Sequence, residues 1–205
     1  REVLVRTAAA GLCHSDLHFI DGLYPTPLPA VLGHEAAGVV EAVGEDVSYV
    51  KPGDHVISCL SMFCGHCSFC TSGHLSLCMD PEVKPLPGKA RRLGWQGNHM
   101  NQFLGLSAFA EQMVVHENAL VKVREDMPLD LASLIGCGVI TGYGAVARTA
   151  RVEPGSTVAV FGAGGIGLAT INAAAIAGAG RIIVVDKDPF KFTLAKAFGA
   201  TDIVD

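Results

Sequence analysis

The chain has 205 residues, 50% of them hydrophobic, enough apolar side chain for one large packed domain or two small ones. Its net charge of -5 and pI near 5.9 exclude the broad basic field that nucleic acid or an anionic membrane would need; the one basic cluster, Lys89 to Arg92, reads as a solvated loop. Apolar runs such as Thr157 to Phe161 and Ile182 to Val185 fall far short of the roughly 20 residues of a spanning helix, so no bilayer crossing is expected.

Arg1-Glu2-Val3-Leu4-Val5-Arg6 alternates like a strand already under way, with no initiating Met and no signal-peptide pattern, and Thr201-Asp202-Ile203-Val204-Asp205 also stops in a strand-like run. The sequence therefore reads as a fragment of a longer protein. Up to Glu153, short apolar runs are broken by turn signals such as Pro25-Thr26-Pro27-Leu28-Pro29, Lys51-Pro52-Gly53-Asp54 and Pro85-Leu86-Pro87-Gly88, which predicts a mostly β domain over 1–153. Within it, Cys13-His14-Ser15-Asp16-Leu17-His18 packs a thiol, a hydroxyl, a carboxylate and two imidazoles into one short stretch, and Gly33-His34-Glu35 adds a histidine in a glycine-flanked turn. Gly38 to Gly44 and Asp54 to Ile57 read as two strands around a turn.

Cys64, Cys67, Cys70 and Cys78 follow, with Gly65 and Gly73 letting the chain fold back around a point. Four thiolates so spaced suit a closed tetrahedral zinc site. An iron–sulfur cluster is the nearer rival, although the last cysteine comes later than in ferredoxin spacing; disulfides and a thioredoxin-like pair fit less well. His66 and His74 read as solvated loop residues, and Cys59 as a small buried apolar side chain. Gly136-Cys137-Gly138 sets another thiol between glycines; spacing alone does not join it to Cys13 and His34.

The pattern changes after Glu153-Pro154-Gly155. Thr157 to Phe161 reads as a buried strand, Gly162-Ala163-Gly164-Gly165-Ile166-Gly167 as a turn, Leu168 to Ala177 as a helix and Arg181 to Val185 as the next strand. A helix near Pro189 to Phe198 and a third strand from Asp202 complete the N-terminal part of a dinucleotide-binding α/β domain over 154–205. In such a unit the first glycine allows a tight turn, the second lets backbone approach a pyrophosphate, and the third packs helix on strand. Asp186, at the end of the second strand, stands where a carboxylate accepts from both ribose hydroxyls and repels a 2'-phosphate, which favours NAD over NADP. The plainer role for Asp186 is to cap the following helix.

Together these motifs, with Gly136-Cys137-Gly138-Val139-Ile140-Thr141-Gly142-Tyr143-Gly144-Ala145, resemble the zinc-containing medium-chain alcohol dehydrogenases across the whole chain and in family order. The resemblance implies a GroES-like mostly β catalytic domain followed by a truncated Rossmann domain, with two zinc ions per chain and NAD. It assigns Cys13, His34 and Cys137 to a catalytic zinc, with Glu35 as an occasional further ligand and Asp16 behind His34; Cys64, Cys67, Cys70 and Cys78 take the structural zinc. Ser15 and His18 match the family's proton relay to solvent. His14, Thr141 and Lys191 match coenzyme-contacting positions, beside Gly162, Gly164, Gly165, Gly167 and Asp186.

Tyr24, Leu60, Phe103 and Leu104 match substrate-pocket positions of apolar character. The implied reaction is hydride transfer between a primary or secondary alcohol and NAD, giving aldehyde or ketone and NADH. The alternatives are an NADPH-dependent zinc aldehyde reductase and a non-enzymatic zinc-organised binding module. Small alcohols or aldehydes, and no nucleic acid or membrane, are the expected partners of a cytoplasmic, homo-oligomeric parent. The piece alone is expected to be weakly active or inactive.

Overall fold

The computed structural model describes residues 1–84 and 92–205. The Pro85 to Gly88 turn and most of the Lys89 to Arg92 cluster lie outside the described residues. Contacts divide the chain into two compact units, 1–136 and 137–205.

The first unit is built on a five-stranded antiparallel sheet. Its elements in chain order are β1 (Glu2–Gly11), α1 (His14–Ile20), β2 (Ala30–Val31), β3 (Glu35–Val43), β4 (His55–Ser58), α2 (Ser68–Thr71), β5 (Leu93–Trp95), β6 (Asn98–Gln102), β7 (Gln112–His116), β8 (Leu120–Lys122) and α3 (Leu129–Ala132). The main sheet runs β7-β1-β3-β4-β8, and a smaller one runs β2-β6-β5. The two strands read around a turn are β3 and β4, paired antiparallel with Ala37 opposite Ile57.

Alternation in β1 sends Val3 and Val5 into a core with Val40, Val56, Leu106 and Val115, while Glu2 and Arg6 face water. Each such aliphatic side chain contributes about 1.5–3 kcal/mol by leaving water. β1 and β3 approach so closely at Gly38 that a Cβ there would meet the Arg6 carbonyl oxygen at 2.3 Å. The carboxyl-terminal end of β1 and the start of β3 lie side by side, with Gly11 opposite Glu35. That pairing brings the Cys13 and His34 motifs together.

The second unit contains α4 (Ile140–Gly144), β9 (Thr157–Phe161), α5 (Gly165–Ile176), β10 (Arg181–Val185), α6 (Phe190–Ala197) and β11 (Asp202–Val204). The three strands form a parallel sheet in the order β11-β10-β9, as βαβ connections require. Val160, Ile171, Ala174, Ile182 and Val184 fill its core. Helix α4 packs against α5, where a Cβ on Gly142 would meet the Ala169 Cβ at 2.6 Å.

This packing puts residues 137–153 with the second unit. The compact units therefore meet some way before the Glu153-Pro154-Gly155 turn at which the sequence pattern changes. The helical run Leu129–Ala150, interrupted in the sequence by glycines, has the length and apolarity of a membrane span, which a count of uninterrupted apolar runs overlooks. A core helix of a water-soluble protein can have the same length and apolarity.

Candidate functional site

Three motif residues of the first unit converge where β1 ends and β3 begins. The ligand atoms of Cys13, His34 and Glu35 lie within 4.8 Å of one another. His34 and Glu35 are buried and Cys13 is half-buried. Asp16, in the first turn of α1, ties the group together. Its Oδ2 accepts from the Cys13 N–H at 3.2 Å, and its Oδ1 accepts from the Gly33 N–H at 3.1 Å and lies 3.3 Å from His34 Nδ1. A carboxylate oxygen in this place accepts from an Nδ1–H, and that tautomer would keep the Nε2 lone pair for a metal.

Local backbone explains the aim of these side chains. Gly33 has φ +93° and sits so close to Phe109 that a Cβ would meet the Phe109 nitrogen at 2.6 Å. Only glycine turns the chain there and presents His34. Gly11 leaves bare the space over which Glu35 lies: a Cβ on Gly11 would meet Glu35 Oε2 at 2.2 Å.

Ser15 and His18 lie on the same short helix as Asp16, both half-buried, with His14 exposed beside them. The His14 and His18 rings meet edge to face at 4.7 Å between centroids, and His18 meets Tyr24 in the same way at 5.4 Å. Phe19, which sequence alone does not single out, joins Tyr24 to Phe103, and Phe103 lies 5.8 Å from the His34 ring. The aromatic path thus runs from exposed His14 to buried His34. Leu104 is exposed with φ +49°, and Leu60 is half-buried against the main core.

Cys64, Cys67, Cys70 and Cys78 form a second group, their sulfurs all within 4.8 Å of one another. Cys64 and Cys70 Sγ are 3.8 Å apart, Cys67 and Cys70 3.5 Å, and Cys67 and Cys78 4.0 Å. A tetrahedral ion with bonds of about 2.3 Å to sulfur sets neighbouring sulfurs about 3.8 Å apart. A disulfide needs about 2.05 Å, and a multi-iron cluster would push its thiolates further apart. The four-sulfur shell therefore fits a single tetrahedral ion.

The Cys64 N–H donates to Cys78 Sγ and the Cys67 N–H to Cys64 Sγ, both at 3.3 Å. Burial pushes the Cys64 thiol up to about 11, whereas the Cys70 N–H beside Cys67 brings that thiol down to about 6. A bound cation would deprotonate thiols in such a shell. His74 is exposed and pairs with Ser72 Oγ at 3.2 Å. His66 is exposed too, as a solvated loop residue would be, and its Nε2 lies 3.5 Å from Asp80 Oδ2.

In the second unit the three motif glycines sit in three different settings. Gly162 has φ +91°, the left-handed turn after β9. A Cβ on Gly164 or Gly165 would meet nothing within 4 Å, so this face of the loop is open. A Cβ on Gly167 would strike the Gly162 carbonyl oxygen at 1.9 Å, so the third glycine lets α5 pack on the loop. Gly164 caps α5 without a side chain, leaving the first-turn N–H groups directed at the open loop.

Buried Asp186 fastens this loop to β10. Its Oδ2 accepts from the Ala163 N–H at 2.7 Å, and its Oδ1 from the Asp188 N–H at 2.9 Å. Lys191 Nζ lies 3.2 Å from the same carboxylate. These contacts, led by the Ala163 N–H, hold the Asp186 carboxyl below the usual carboxylate range. Thr141 is exposed on α4. Cys137 is half-buried and opens the second unit directly after Gly136, where a Cβ would meet the Ser58 carbonyl oxygen at 1.9 Å.

Comparison with known proteins agrees with this chemistry. The family described as alcohol dehydrogenase GroES-like domain matches residues 1–125. The S-(hydroxymethyl)glutathione dehydrogenase of Haemophilus influenzae is 48% identical over 100% of this chain and 55% of its own length. An alcohol dehydrogenase zinc-binding domain protein from Burkholderia ambifaria superposes with TM-score 0.91 at 44% identity, over 100% of this chain and 56% of the other. The benzyl alcohol dehydrogenase of Acinetobacter calcoaceticus does so with TM-score 0.87 at 40% identity, over 98% and 56%. The chain spans about half the length of the curated relatives it matches. It belongs to the alcohol dehydrogenase family with a GroES-like domain, in the zinc-containing medium-chain branch, and carries that domain followed by the first part of a dinucleotide-binding fold.

Proposed function

We propose that the parent protein is a zinc-dependent, NAD-linked alcohol dehydrogenase, and that this chain holds its two metal sites and the adenosine side of its coenzyme site. The buried His34 beside Cys13, oriented by Asp16, carries the reading: an imidazole with Nδ1 engaged offers Nε2 to a cation. Cys13, His34 and Cys137 are the proposed catalytic ligands, with Glu35 as an occasional fourth. Cys64, Cys67, Cys70 and Cys78 hold the structural ion. When bound, zinc supplies Lewis acidity to the alcohol oxygen, and NAD accepts the hydride.

The chain's own residues bind, orient and shuttle protons. Ser15 accepts the alcohol proton and His18 passes it towards solvent. Phe19, Tyr24, Phe103, Leu60 and Leu104 offer apolar and aromatic surface, which suits a primary or secondary alcohol with an apolar tail. Gly162, Gly164, Gly165 and the first turn of α5 hold the pyrophosphate. Asp186 and Lys191 engage the adenosine ribose, with Asp186 excluding a 2'-phosphate; His14 and Thr141 complete the coenzyme contacts. A lobe that keeps four thiolates for a metal suits a reducing compartment, and we place the homo-oligomeric parent in the cytoplasm.

Expression of the full reading frame, zinc counting and an alcohol panel with NAD and NADP test this together. The expected result is two zinc ions per chain and turnover favouring NAD. One zinc ion with no NADH fluorescence quench would overturn it in favour of a zinc-organised binding module.

A further inference from the structure

Beside the four-cysteine shell lies a second ligand set that shares one sulfur with it. Cys64 Sγ, a His66 ring nitrogen and an Asp80 carboxylate oxygen all lie within 4.8 Å of one another. Thiolate, imidazole and carboxylate are the three donor types zinc accepts. The two sets differ in access. Cys64, Cys70 and Cys78 are buried, whereas the His66 side chain is 75% exposed and the Asp80 side chain 15%.

The set opens onto a cavity of about 370 Å³ whose wall includes Cys64, His66, Asp80, Glu82, Asp46 and His116. Its two arginines are engaged by carboxylates, Arg1 by Glu117 and Arg92 by Glu2, so Asp46, Asp80 and Glu82 give the wall an acidic character. His116 offers this cavity no strong cation: burial lowers its pKa, and its Nδ1 already accepts from the Asn118 N–H. Asp80 is held in place, since its Oδ1 caps the Glu82 N–H at 2.9 Å and leaves Oδ2 facing His66.

We propose that Cys64, His66 and Asp80 form an entry site through which a divalent zinc ion passes into and out of the four-cysteine shell. A closed shell of four sulfurs has no open position for a hydrated ion. The outer set takes that ion while it still carries water, and Cys64 then stays bound as Cys67, Cys70 and Cys78 replace His66, Asp80 and water. Cys64 belongs to both sets, so an ion in the outer set must share the thiolate that the closed shell draws on. The site is therefore transient, and the lobe keeps one ion at rest. This inference rests on the proposal that the lobe holds zinc.

The test uses the full-length chain, stripped of metal under reducing conditions and mixed with excess zinc. Pulsed alkylation, followed by mass spectrometry of the peptide spanning residues 64–78, reads the protection of these four thiols separately from Cys13 and Cys137. His66→Ala removes an exposed ring, and Asp80→Asn keeps an oxygen for the Glu82 N–H, so both variants preserve the lobe. The expected result is severalfold slower protection in the double variant, with unchanged final protection and zinc content. Release to a chelator should slow by a similar factor.

Equal rates in wild type and double variant would overturn the entry site, as would a lower final zinc content of the lobe in the variant, which would make the pair part of the resting coordination. No protection in wild type would instead overturn the structural-zinc reading on which it rests. Cobalt in place of zinc gives a second readout: wild type should pass through an early spectrum with fewer thiolate-to-metal charge-transfer bands, and the double variant should lack that phase.

Discussion

Asp16 and His34 are both buried, and Asp16 Oδ1 sits 3.3 Å from His34 Nδ1 while also accepting from the Gly33 N–H. One carboxylate oxygen therefore sets the tautomer of the imidazole and the turn that presents it. Asp16→Asn keeps the size and an acceptor for Gly33 but loses the charge that favours the Nδ1 proton. The variant should bind metal at the proposed catalytic site about 10–100-fold more weakly. Competition with a chelator in the full-length protein measures this. Zinc in the Cys64 to Cys78 lobe should be unaffected, so wild-type affinity at the catalytic site would refute the assigned role.

The glycines of the proposed coenzyme loop should separate stability from binding. A Cβ on Gly167 meets a backbone oxygen at 1.9 Å, whereas one on Gly164 meets nothing within 4 Å. Gly167→Ala should therefore cost about 1–3 kcal/mol of stability by overpacking and lower Tm together with coenzyme affinity. Gly164→Ala should leave Tm near wild type yet weaken NADH binding, because its methyl group occupies the open face that a pyrophosphate needs. Tight NADH binding by Gly164→Ala would remove the pyrophosphate from this loop.

Asp186 fastens the loop and is proposed to select the coenzyme, and substitution should expose both roles. Its carboxylate secures the Ala163 and Asp188 N–H groups and faces Lys191. Asp186→Asn keeps one of the two acceptor oxygens, puts an NH2 that cannot accept in place of the other, and loses the charge set against a 2'-phosphate. The ratio of NAD to NADP affinity should fall by roughly ten- to a hundredfold, read by titration with both reduced coenzymes. An unchanged ratio would separate Asp186 from coenzyme choice and leave it only as the loop's fastening.

Legibility of these features follows the distance over which each is encoded. The Cys64 to Cys78 shell is legible because its four ligands lie in one loop and spacing alone draws them together. The Gly162 to Gly167 turn is legible for the same reason, and the structure adds which glycine meets φ, which meets an open face and which meets a packed oxygen. Cys13 and His34 meet only because β1 pairs with β3, a long-range contact for which no local pattern speaks, so the family resemblance is what links them beforehand. Phe19 and the His66–Asp80 pair are tertiary facts of the same kind. The extent of the second unit also escapes local reading, since α4 joins it by packing its Gly142 against Ala169 rather than through any change in composition.

Acid should loosen the second unit at the β10–β11 pair. Arg181 holds Asp202 through two hydrogen bonds of 2.9 Å, and Thr201 Oγ1 donates to the same carboxylate at 2.7 Å. The Arg181 guanidinium, followed by the Thr201 hydroxyl, lowers the Asp202 pKa from 3.8 to about 2. A carboxyl group depressed in the folded state stabilises it fully above the unfolded pKa and loses that contribution as pH falls through the folded pKa. The contribution is therefore present above pH 3.8 and disappears between 3.8 and about 2. Arg181→Met should lower the urea midpoint at neutral pH and flatten its decline across that window, because the variant has less to lose. Midpoints measured at several pH values check both effects. A decline as steep in the variant as in wild type would assign the acid sensitivity to other carboxylates, Asp186 first, since the Ala163 N–H holds its pKa below the ordinary value as well.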